Sequence, residues 1–254
     1  MTASIIMVHG AFCGGWAFET FRTPFEAAGY SVLAPDLRGH SPGEAGNRVS
    51  GVSMRDYAAD IAALCAAQAE PPVLLGHSMG GLVAQLAARK AKIGALVLLA
   101  PSPPWGVGVS SFEEAVTAFG VQVMGAFSPG AIEPDRGLMR TYTLDRVGKA
   151  EREAVVARLC PESAVAVRET LNWWLDPFMT TSVGPGPVAA PALVMVGARD
   201  VVHPPATARA TAERLGAGFE TLPGMSHWLL SEPGWEAVAD HILRWLADET
   251  RAAA

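Results

Sequence analysis

The sequence predicts an α/β protein: a mostly parallel central sheet flanked by helices, with a helical insertion between two strands. Three observations predict it. Short apolar runs without polar alternation recur along the chain, as strands do when both faces of a sheet are covered. Helix-length stretches separate most of them, and strand alternating with helix implies parallel pairing through right-handed crossovers. One long interval, from about Pro103 to Pro187, has no such run and carries helical patterns instead.

Taken in order, strands are expected at Ile5–Val8, Ser31–Ala34, Val73–Leu75, Ala95–Leu99, Ala192–Val196 and Gly218–Leu222. Helices are expected at Phe18–Ala28, Ser53–Gln68, Gly80–Lys90, Ala206–Leu215 and Trp235–Asp248. Gly29 and Gly216 mark helix ends, where glycine takes positive φ without a Cβ penalty. Within the interval, Ser111–Ala126 and Lys149–Cys160 have helical spacing. Pro101-Ser102-Pro103-Pro104 and Gly184-Pro185-Gly186-Pro187 punctuate its two sides. Residues 1–102 and 188–254 are therefore read as one core, and 103–187 as an insertion into it.

Composition narrows the class. Of 254 residues, 50% are hydrophobic and 17% charged, which excludes a disordered chain and predicts a sizeable core. The net charge of −6 and the absence of a lysine patch (only Lys90, Lys92 and Lys149 occur) argue against a nucleic-acid or anionic-lipid partner. Cys13, Cys65 and Cys160 form neither a CxxC pair nor a disulfide framework, so a reducing compartment is expected. The first residues lack the basic start of a signal peptide, and no uninterrupted apolar run reaches the ~18 residues of a membrane span. A soluble, cytoplasmic protein is expected. With no metal-ligand cluster, and no GxGxxG or P-loop after a strand, no metal and no cofactor is implied.

The strongest chemical signal is Gly76-His77-Ser78-Met79-Gly80, directly after one expected strand and directly before an expected helix. A bare GxSxG is weak, but the strand–turn–helix context is that of a nucleophile elbow, a turn tight enough to need its glycines. A serine hydroxyl needs a base. Among the six histidines, His9 and His77 lie in glycine turns and read as turn-holding residues, as does His40 in its loop; His241 lies in the last helix. His227, in the loop Gly224-Met225-Ser226-His227 after the last strand, sits where open α/β sheets place their sites. The carboxylate that orients it is assigned to Asp200, immediately after the strand Ala192–Val196. The loop after Leu99 contains no acid, Asp36 is expected to pair with Arg38, and Asp176 is a weaker candidate inside the insertion. Backbone N–H groups of Met79 and of Ala11 or Phe12, in His9-Gly10-Ala11-Phe12-Cys13-Gly14-Gly15-Trp16, would form an oxyanion hole. Cys13 reads as a small buried thiol.

With Ser78, Asp200 and His227 in that chain order, the sequence resembles the α/β-hydrolase fold serine hydrolases over nearly its whole length outside the insertion. Pro35-Asp36-Leu37-Arg38-Gly39-His40 is a further family-like stretch. His9-Gly10-Ala11 with Gly14-Gly15-Trp16 is similar to the plant methylesterase and hydroxynitrile lyase subgroup. The resemblance implies that the insertion is a cap over the site. It disfavours epoxide hydrolases and dehalogenases, whose elbow carries an aspartate. It also disfavours hydroxynitrile lyases of the subgroup, which place a lysine where Trp228 stands.

The expected function is cofactor-free hydrolysis of small-to-medium uncharged carboxylic esters, with lactones and C–C bonds as variants. The alternative is a ligand-binding sensor on the same fold. The pocket is expected to be apolar, drawn from Phe12, Phe119, Val123, Met124, Phe127, Trp173, Trp174, Phe178 and Trp228.

Overall fold

The computed structural model describes residues 3–41, 49–108, 110–111, 114–115, 130–184 and 186–252. Strands β1 (Ser4–Val8), β2 (Ser31–Leu33), β3 (Val73–His77), β4 (Ala95–Leu99), β7 (Ala192–Gly197) and β8 (Gly218–Leu222) make one sheet, in the order β2-β1-β3-β4-β7-β8. Every neighbouring pair in it is parallel. The apolar runs are strands for the reason the sequence suggests: β3 and β4 are buried at every position, and apart from His77, the last residue of β3, their side chains are apolar. Parallel pairing gathers the carboxyl ends of the strands on one edge of the sheet. The order reverses between β1 and β3, which opens the crevice where such sheets place ligands.

Helices fill the connections. α1 (Thr23–Ala27) is shorter than the sequence pattern suggests: Pro24 stands in its first turn, and the residues before it make a separate 3₁₀ turn, Gly15–Phe18. α2 (Met54–Ala66) starts at a capping box in which the Ser53 side chain accepts from the backbone and Asp56 answers the Ser53 N–H at 2.9 Å. α3 (Met79–Ala88) is buried from Met79 to Ala87, the burial that a helix apolar on nearly all sides requires. Its one polar residue, Gln85, donates to the Ser102 carbonyl at 3.2 Å. The helices Pro205–Leu215 and Trp235–Ala252 complete the expected set, and Gly216 at φ 64° ends the first of them in the left-handed region.

Between β4 and β7 the described chain adds helical turns over Arg136–Leu138 and Met139–Thr143, and helices Lys149–Arg158 and Ala164–Leu171. A two-residue antiparallel ribbon, β5 (Ala131–Ile132) with β6 (Glu162–Ser163), was not anticipated, because two residues are too few to leave a pattern. Most of the expected helix Ser111–Ala126, with Phe119, Val123, Met124 and Phe127, lies outside the described residues. Among the described residues no helix is long and apolar enough to cross a membrane.

Candidate active site

Ser78 sits between the last residue of β3 and the first of α3, at φ 54° and ψ −124°. A non-glycine residue tolerates positive φ only where its surroundings enforce it, at a cost of order 1–3 kcal/mol. Here the Ser78 N–H donates to Leu99 O at 3.0 Å, and its carbonyl accepts from Gly81 N and Ser102 N, both at 2.9 Å. The turn also needs its glycines. A Cβ on Gly76 would overlap Gly80 O, and one on Gly80 would overlap the carbonyls of Val8 and His9.

Three side chains predicted from separate loops meet at this point. His227 Nε2 lies 3.0 Å from Ser78 Oγ, and His227 Nδ1 lies 2.8 Å from Asp200 Oδ2. Asp200 and His227 are buried. The other Asp200 oxygen accepts the Val202 and His203 N–H groups at 2.8 and 2.9 Å, which fixes the carboxylate plane. Burial alone would raise the Asp200 carboxyl, but His227 beside it and these hydrogen bonds hold it below the usual carboxylate range. A hydroxyl that can give its proton to an imidazole, and an imidazole oriented by a carboxylate, is the geometry of nucleophilic catalysis.

The other predicted acids and histidines fall elsewhere. Asp36 does not pair with Arg38: it accepts Gly15 N–H at 2.7 Å, while Arg38 holds Asp60 at 2.6 Å. Asp176 is occupied by the Phe178 and Thr180 N–H groups in a surface turn. His9 bridges the loop after β1 to Leu37: its Nδ1 lies 2.9 Å from Gly10 O, and its Nε2 accepts from Leu37 N at 2.9 Å. Burial pushes its pKa down to about 4. His40 is 3.0 Å from the buried Glu162, and His241 pairs with the half-exposed Glu220 at 2.9 Å. Cys13 is buried, and burial raises its thiol pKa far above the usual value.

A cavity of about 140 Å³ opens onto Ser78 and His227. Phe12 and Trp228, both expected in the pocket, line it, as do Ala11 and Met79, expected as oxyanion donors. Trp173, Trp174 and Phe178 do not. The helix Ala164–Leu171 turns Val167, Thr170 and Leu171 to the cavity, and the chain then leaves it for the surface. Trp173 stacks edge-on to Trp105 instead, and Trp174 and Phe178 are 54% and 75% exposed. The remaining wall comes from residues that were not anticipated, chiefly Leu138, Met139 and Tyr142. The spacing of Leu138 and Tyr142, four apart, was the available signal. Also unanticipated are Ser102 and His203, which lie 2.9 Å apart on the cavity wall. Burial, and the neighbouring His227, push the His203 pKa down to about 3. Among the described residues, no group of three or more His, Cys, Asp or Glu is placed to hold a metal ion.

Comparison with known proteins agrees with this architecture. A pyrethroid hydrolase from Sphingobium wenxiniae is 43% identical over 77 residues, 30% of this chain and 27% of that protein. The chain therefore matches little more than a quarter of that relative's length. A carbendazim hydrolyzing esterase from Nocardioides is 28% identical over 66% of this chain and 72% of its own. Salicylic acid-binding protein 2 of Nicotiana tabacum is 36% identical over 42% of each. Among solved structures, a thermophilic esterase from Thermogutta terrifontis superposes with a TM-score of 0.72 at 24% identity, covering 98% of this chain and 90% of that one. A pyrethroid hydrolase from Sphingobium faniae superposes at 0.69 and 22% identity, covering 99% and 100%. The alpha/beta hydrolase family matches residues 5–241, and with that match over nearly its whole length the chain belongs to the alpha/beta hydrolase family.

Proposed function

We propose that this protein is a carboxylic ester hydrolase that works through an acyl-enzyme on Ser78, with no cofactor. The observation that carries the proposal is the unbroken contact from Ser78 Oγ through His227 to Asp200 at the floor of one cavity. Ser78 attacks the acyl carbon as His227 Nε2 takes its proton, and Asp200 stabilises the imidazolium. The oxyanion that forms is met by the N–H groups of Met79 and Ala11, because the Phe12 N–H points instead at Glu162 Oε2, 3.4 Å away. Each such donor is worth about 10²–10³ in kcat. His227 then protonates the departing alcohol, and water repeats the sequence to release the acid.

The substrate class follows from the wall. Among the described residues Asp135 lines the cavity and no lysine or arginine does, which supports uncharged small-to-medium esters, lactones included, over anionic ones. We take the interval 103–187 as the cap, since its described residues Leu138, Met139, Tyr142, Val167 and Leu171 line the cavity. The free Cys13, Cys65 and Cys160 fit a reducing compartment, and we take the cytoplasm as the location. The relatives named above, a pyrethroid hydrolase and a carbendazim hydrolyzing esterase, support a hydrolase reading. The test is turnover on a panel of uncharged esters and lactones: many product molecules per protein are expected. Product that stops near one equivalent would favour a sensor that binds its ligand on this fold.

A further inference from the structure

We propose that Glu162 is a positioning residue for the oxyanion-binding loop: with the Cys160 peptide it clamps Phe12 and so holds the adjacent Ala11 amide beside Ser78. The inference rests on the reading of Ser78 as nucleophile and Ala11 as oxyanion donor. Phe12 stands at φ 64°, a conformation that a residue with a Cβ keeps only under external hold. Both of its backbone polar groups are taken by one segment about 150 positions further along the chain. Its carbonyl accepts Cys160 N–H at 2.9 Å, and its N–H points at Glu162 Oε2 at 3.4 Å.

Glu162 is itself fixed from several sides. Tyr57 OH donates to its Oε1 at 2.7 Å, Ser163 N–H to the same oxygen at 2.8 Å, and His40 Nε2 lies 3.0 Å from Oε2. The carboxylate is fully buried, yet Glu162 does not line the cavity. A buried ion pair is a poor way to gain stability, since apolar residues of similar volume do as well or better. An apolar residue could not, however, accept the Phe12 N–H. Oε1 takes Tyr57 and Ser163 while Oε2 faces Phe12 and His40, so the site needs an acceptor on both sides, which a carboxylate supplies and a glutamine amide, with one oxygen, does not.

A tether that merely joined residues 130–184 to the sheet would behave differently, and the exposed Arg158–Glu19 pair at 2.7 Å is such a tether. The experiment compares Glu162→Gln with Arg158→Ala. It measures kcat and KM on an uncharged nitrophenyl ester, and affinity for an uncharged trifluoromethyl ketone whose carbonyl carbon accepts Ser78 Oγ. In Glu162→Gln, kcat is expected to fall by about 10-fold or more, short of the 10²–10³ for loss of a whole donor, with KM little changed. Ketone affinity falls in parallel, and amide exchange of Phe12 quickens. Arg158→Ala keeps kcat and ketone affinity. A folded Glu162→Gln protein with wild-type kcat and ketone affinity overturns the proposal, as does an equal loss in both variants. If Glu162→Gln does not fold, exchange in the wild-type protein decides. A protected Phe12 amide supports the clamp, and exchange at the unprotected rate overturns it. Absence of Ser78-dependent turnover in the wild-type protein would instead remove the hydrolase reading, and the exchange measurement would still report on the clamp.

Discussion

His77 Nε2 donates to the main-chain carbonyl of His227 at 3.0 Å, so the residue before the nucleophile holds the loop that carries the base. Burial, and the neighbouring His227, push the His77 pKa down to about 3, which keeps it a neutral donor. Its ring also packs at 5.2 Å from His227 and 5.4 Å from Trp228. The Ser78–His227 distance is thus set by a bond between their two loops as well as by the sheet.

Removing that bond in His77→Ala should lower kcat by about 10²-fold, the scale of a 1 Å misplacement of a catalytic group, with a smaller change in KM. Steady-state kinetics on the folded variant check it. Wild-type kcat would mean the His227 loop is held by packing alone.

Asp200→Asn should keep the fold, because an amide oxygen can still accept the Val202 and His203 N–H groups. It should lose on the order of 10⁴ in kcat, since the amide favours the wrong imidazole tautomer. Near-normal kcat with an unchanged circular dichroism spectrum would dismiss Asp200 from the triad.

The same buried groups make stability depend on pH in a definite direction. His9, His77 and His203 have folded pKa values of about 4, 3 and 3, below the ordinary histidine value, so their contribution is present above about pH 6.5 and lost on acidification toward pH 4–3. Glu232 acts oppositely: burial lifts its pKa to about 7, so its contribution is full below about pH 4.5 and lost as pH rises through 7. Urea unfolding from pH 7 to 4.5 should therefore be steeper in acid loss for Glu232→Gln than for wild type. Parallel curves would contradict the assignment of Glu232.

Much of this was readable in advance, and the boundary is physical. Val73–Leu75 and Ala95–Leu99 announce themselves because strands buried on both faces must be apolar at every position. Ser78, Asp200 and His227 are legible because each must stand in a short loop at a strand's carboxyl end. Glu162 was not legible. Pro161-Glu162-Ser163 follows the expected helix Lys149–Cys160 with no pattern of its own, and the Glu162 partners Tyr57 and His40 lie 105 and 122 positions away, so nothing local marks a buried carboxylate. Trp173 and Phe178 misled for a related reason: size and apolarity mark a side chain that can be buried, and only packing decides against what.

Matched neutral and anionic esters should separate by kcat/KM in favour of the neutral member, given Asp135 and the apolar Leu138, Met139 and Val167 on the wall. Changing acyl length by a methylene should shift discrimination by only ~1–3 kcal/mol. A preference for the anionic ester would point to a cation reaching the cavity.

The most direct measurement of the central claim is covalent labelling by an uncharged fluorophosphonate, followed by intact-mass and peptide analysis. One adduct per chain, carried by Ser78 and absent from a folded Ser78→Ala variant, is the predicted result, because the Ser78 hydroxyl has His227 Nε2 at 3.0 Å with Asp200 behind it. An adduct on another residue, or labelling that persists in Ser78→Ala, would contradict the account.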